Sequence, residues 1–114
     1  MKFDTKKDKD LTVVSIAGRM DAVTTPEAED RLAGLIDAGE RSFVVDLQQL
    51  DYISSAGLRG ILATAKKLKA ERGDIVFANL QGHVNEVFKI SGFQSLFKIF
   101  DSVDAAVNEL RRTE

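Results

Sequence analysis

The chain of 114 residues carries 16 Lys and Arg against 18 Asp and Glu, a net charge of −2, with 44% apolar residues and no cysteine. That length suits one domain, residues 1–114, around one core; the missing cysteines exclude disulfides and thiolate chemistry, and the balanced charge argues against nucleic acid as a partner. No apolar run approaches the roughly 20 residues of a membrane span, and the charged opening MKFDTKKDKD lacks the apolar centre of a signal peptide, so the expected setting is cytoplasmic with no membrane contact.

Residues 2–7 read as a charged edge strand whose lysines discourage edge-to-edge pairing. Residues 11–17 (LTVVSIA) are rich in β-branched residues and read as a buried strand ended by Gly18. A helix follows, with Thr25 as its N-cap, Pro26 at its first position, and Ala28, Leu32, Leu35 and Ile36 as its apolar face before Gly39 closes it. Residues 42–47 (SFVVDL) are apolar on both faces and predict a central strand. The next helix runs from Ala56 to Glu71, with Leu58, Ile61, Leu62, Ala65 and Leu68 inward and Gly73 as its stop. Residues 74–79 predict another buried strand, and residues 82–91 a helix with Val84, Val87 and Phe88 on one face, interrupted at Gly92. A short strand over 97–100 precedes a last helix, capped by Ser102 and striped by Val103, Ala106, Val107 and Leu110. Strands separated by single helices predict an α/β domain with a mixed, largely parallel sheet of four or five strands and about four helices.

The informative segment is Leu50–Gly60, a loop that leaves a central strand and starts a helix. In open α/β sheets that edge is where ligands and partners meet the domain. Ser54 and Ser55 stand side by side at the helix start, followed by the small residues Ala56 and Gly57. One serine suffices as N-cap, and the other then projects its hydroxyl outward. The simpler reading is that both serines cap. A catalytic reading lacks support, because the one histidine, His83, belongs to a different helix and forms no triad pattern. Gly57 and Gly60 are not followed by the Lys-Ser/Thr of a P-loop, and Asp21 and Asp46 suit turns better than a metal site. No catalytic residue, cofactor or metal is expected.

The stretch VVDLQQLDYISSAGLRGIL (residues 44–62) resembles the signature of STAS domains, and among them that of the anti-sigma factor antagonists. The resemblance extends over essentially the whole chain, and Gly18-Arg19-Met20-Asp21 is similar to the family's G-x-[LMI]-D turn. The family's loop is written Asp-Ser-Ser/Thr-Gly-Leu, with the phosphoacceptor serine two residues before the glycine. Carried onto this chain, the glycine is Gly57 and the acceptor is Ser55, with Ser54 as the alternative. Two positions depart from the pattern: Ser54 stands for the aspartate and Ala56 for the second Ser/Thr.

The resemblance implies partner switching. The unmodified protein binds an anti-sigma factor that is itself a serine kinase, phosphorylation of Ser55 releases it, and a PP2C-type phosphatase restores it. The implied docking surface comprises Gly18, Asp21, Ser54, Ser55, Ala56, Gly57, Leu58 and Arg59, with Lys66 on the same helix, and the free protein is expected to be a monomer. The alternatives are a non-switching scaffold subunit of a stressosome-like or transport complex, and a phosphoswitch for another output such as secretion or biofilm control.

Overall fold

The computed structural model describes residues 1–112. The antiparallel strands β1 (Lys2–Asp8) and β2 (Leu11–Met20) open the chain. Strands β3 (Ser42–Asp46), β4 (Leu50–Ile53), β5 (Asp74–Ala78) and β6 (Ile99–Phe100) add parallel pairings. Helices α1 (Thr25–Asp37), α2 (Ser55–Ala70), α3 (Gly82–Ile90), α4 (Phe93–Leu96) and α5 (Val103–Arg112) occupy the connections and the C-terminal end. The sheet runs β1-β2-β3-β5-β6, and β4 pairs with β2. The expected α/β class, charged edge strand and largely parallel sheet are all present. Six strands and five helices among the described residues exceed the expected numbers, because β4 and α4 are four residues each.

Alternation along the central strands divides the core in two. Phe43, Val45 and Phe77 join Leu32, Ile61, Val84 and Phe88 in the larger cluster with α1, α2 and α3. Val44 and Val76 join Leu11 and, from α5, Ala106, Val107 and Leu110 in the smaller one. Phe77, Phe88, Phe93 and Phe97 meet edge to face with centroids 5.2–5.5 Å apart. Each such pair contributes about 0.5–1.5 kcal/mol beyond its buried area and fastens α3 and α4 to β5.

Four local expectations change. Gly18 does not end the second strand: at φ +94° it forms a bulge, and β2 resumes beyond it to pair Arg19 with Tyr52 and Met20 with Ile53 of β4. The N-cap of α1 is Thr24 rather than Thr25, and Thr25 is a buried first-turn residue. The inward stripe of α2 is Gly57, Gly60, Ile61, Thr64 and Leu68, with Leu58, Leu62 and Ala65 half-buried on its flank. The expected strand over 97–100 shrinks to Ile99 and Phe100, because Phe97 turns into the aromatic cluster. The Ser102 cap is present, its Oγ accepting the Ala105 N–H at 3.0 Å.

Candidate functional site

Three segments converge where β2 and β4 end. The Ser54 N–H donates to the Met20 carbonyl, the Gly18 N–H to the Gln49 carbonyl and the Thr25 N–H to the Asp21 carbonyl, each at 2.9 Å. The β2–α1 turn is thereby set beside the start of α2. Asp21 closes that turn, its Oδ1 accepting the Val23 and Thr24 N–H groups at 3.0 Å each. The Thr24 hydroxyl donates to the Arg19 carbonyl at 2.7 Å and accepts the Asp21 N–H at 3.0 Å. The Thr24 N–H, first among these influences, holds the Asp21 carboxyl below the usual carboxylate range, with desolvation acting against it and the Val23 N–H, the Thr24 hydroxyl and the Arg19 guanidinium with it.

At the start of α2 the two serines separate in role. Ser54 is the extended N-cap, and its Oγ accepts the Gly57 N–H at 3.3 Å. Ser55 is the first helical residue and is exposed, and among the described residues its hydroxyl has no hydrogen-bond partner. His83 is exposed on α3 and stacks on Tyr52, and among the described residues it makes no hydrogen bond to Ser55. Ala56 and Leu58 are half-buried, while Arg59 and Lys66 are exposed. Gly57 is buried, and a Cβ there would lie 2.6 Å from Ile53 Cγ1 and 2.9 Å from the Met20 oxygen. Its smallness serves the approach of α2 to β2 and β4 within the molecule. At Gly60 a Cβ would lie 2.5 Å from Thr25 Cγ2, which likewise closes α2 onto α1. The expected surface residues other than Lys66 are thus brought to one edge, with Gly57 beneath that surface and Gly18 as the bulge that shapes it, whereas Lys66 lies about three turns further along α2.

Residues 2–106 match the family profile described as STAS domain. The chain belongs to the STAS domain family. BtrV of Bordetella bronchiseptica, provisionally named an anti-sigma factor antagonist, is 42% identical over 106 residues, 93% of this chain and 91% of BtrV. The structure of an anti-sigma factor antagonist from Mycobacterium paratuberculosis superposes with a TM-score of 0.87 at 24% identity, covering 96% of this STAS domain and 93% of that chain. The unphosphorylated form of the antagonist SpoIIAA gives 0.84 at 19% identity over 96% of both chains, and the phosphorylated form of SpoIIAA from Bacillus gives 0.76 at 17% over 96% and 99%. At those identities the likeness to the solved structures is one of fold.

The STAS scaffold also carries a side-chain column that sequence reasoning missed. The Arg19 guanidinium lies 4.0 Å above the Tyr52 ring, and Tyr52 stacks on His83 with centroids 5.0 Å apart and planes 4° from parallel. Arg19 Nε is also 3.8 Å from Asp21 Oδ2. The column joins β2, β4 and the first turn of α3 beside the loop. Its one legible signal is the facing of Arg19 and Tyr52, which needs the short strand β4 to be recognised first.

Proposed function

We propose that this protein is an anti-sigma factor antagonist that works by partner switching, with Ser55 as the phosphoacceptor. The unmodified surface around the β2–α1 turn and the start of α2 binds an anti-sigma factor with serine-kinase activity. That kinase passes the γ-phosphoryl group of ATP to the Ser55 oxygen; ADP leaves and the hydroxyl proton goes to solvent. A PP2C-type phosphatase reverses the modification by hydrolysis. The observation that carries the reading is the exposed hydroxyl of Ser55, without a hydrogen-bond partner among the described residues, on a helix start fixed by the Ser54 cap, in a chain 42% identical to BtrV. The Ser54 hydroxyl already accepts the Gly57 N–H, which favours Ser55 over its neighbour as acceptor.

The size of the effect fits a switch. A phosphoserine adds about −1.5 to −2 charges at neutral pH, and a dianion pressed against a surface shaped for a hydroxyl must be desolvated. A loss of about 3 kcal/mol weakens binding roughly a hundredfold. The role is binding rather than catalysis. The test is a pull-down with wild type, Ser55→Ala and Ser55→Asp. A kinase retained by the alanine form and lost by the aspartate form is the expected result, and a kinase bound equally by both would refute the reading.

A further inference from the structure

Ser55 and Arg59 stand four residues apart in α2, and both are exposed. Residues at that spacing lie on one helical face, one above the other. Helical side chains lean toward the N-terminus, so the long Arg59 chain covers the turn that Ser55 opens. Among the described residues the Arg59 guanidinium has neither an ion pair nor a hydrogen bond, in contrast to Arg19, Arg41 and Arg111. A cation thus stands unengaged one turn above the hydroxyl proposed to be modified.

We propose that Arg59 is the positioning residue for the phosphate on Ser55, folding back along α2 to pair with it. This rests on the reading of Ser55 as the acceptor. A guanidinium presents a planar fork of donors that suits a phosphate's oxygens, and the pairing is local to one turn, so it forms without movement of the fold. Phosphorylation then changes the docking surface twice. It adds a dianion at Ser55 and withdraws the Arg59 cation from the face it offered to the partner. Of the charges on the neighbouring elements, Asp21 is committed to its turn and Arg19 to Tyr52 and Asp21, while the Glu29 carboxylate of α1 lies against Gly60 and Asp51 of β4 is exposed, so both carboxylates act on the phosphate alike in every variant compared.

The test uses the full chain with phosphoserine installed genetically at position 55, so that it depends on no kinase. Phosphorus NMR titration gives the second pKa of the phosphoserine in wild type, Arg59→Gln and Arg59→Lys. The wild-type value should lie about 0.3 unit below that of Arg59→Gln, the size set by an exposed i,i+4 ion pair, with Arg59→Lys in between. The difference should shrink in 1 M salt, where the Debye length falls to about 3 Å. Equal values for wild type and Arg59→Gln at low salt would overturn the pairing. If mass mapping placed the phosphate of kinase-treated protein on another residue, the switch reading would fall while the Arg59 shift still stood.

Discussion

Ser54 and Ser55 are chemically alike, and one step along the chain gives them opposite duties. At Ser54 the hydroxyl is committed to the Gly57 N–H, whereas Ser55 leaves its hydroxyl to solvent. Ser54→Ala should therefore cost about 1 kcal/mol, the ordinary loss of an N-cap, while Ser54→Asp keeps the cap. Thermal denaturation of both beside Ser55→Ala checks this, and an equal loss from Ser55→Ala would contradict the assignment. Gly57 makes a sharper case. Its missing Cβ leaves room for Ile53 Cγ1 and for the Met20 carbonyl, and a backbone oxygen has little freedom to retreat. Gly57→Ala should destabilise by about 1–3 kcal/mol, read from urea unfolding, although alanine is the better helix former. Its neighbours within the fold occupy the space that the missing side chain leaves.

Among the elements, the β2–α1 turn is held by a charged group. The Asp21 carboxyl is held below its ordinary range by the N–H groups of its own turn, the Thr24 N–H first. A depressed folded value means that the ionised form stabilises the fold above the ordinary aspartate pKa of about 3.9, and that this contribution disappears as pH falls through the folded value. Wild type should therefore be more stable than Asp21→Asn at neutral pH, with the gap closing below about pH 4. Parallel melts between pH 7 and pH 2 measure it; a gap that widened on acidification would show that the carboxylate does not hold the turn. Long elements were legible because their periodicity repeats: the stripes of α1 and α5 and the β-branched runs of β2, β3 and β5 each report burial several times over. Leu50–Ile53 offers only four residues, and its partner is the part of β2 beyond the Gly18 bulge, so a long-range pairing made it a strand. The same shortness hid α4, and with β4 unread the Arg19–Tyr52–His83 column had no geometry to be inferred from. The start of α2 at Ser54 and Ser55 was legible because a helix start is a local event: a capping hydroxyl, a second hydroxyl and small residues within one turn; the acceptor role proposed for Ser55 came from the family resemblance alone.

For the molecule as a whole, the question is whether a charge at Ser55 is felt through the sheet or only at its rim. Ser55 sits at the end of α2 where the helix meets β4 and the β2–α1 turn, while the large core of Phe43, Val45, Phe77 and Phe88 lies beneath the body of the helices. That core is close-packed and needs several side chains to move together before it changes state, whereas a side chain at a helix start meets solvent on one side. A negative charge there is also favourable to the helix dipole. Ser55→Asp should thus leave amide exchange in β3 and β5 unchanged and alter protection only in the first turn of α2 and the adjoining β2–α1 turn. Hydrogen-exchange mass spectrometry of both proteins decides it. Faster exchange across β3 and β5 would mean that the charge acts by loosening the scaffold, and a switch confined to the docking surface would then be the wrong physical account.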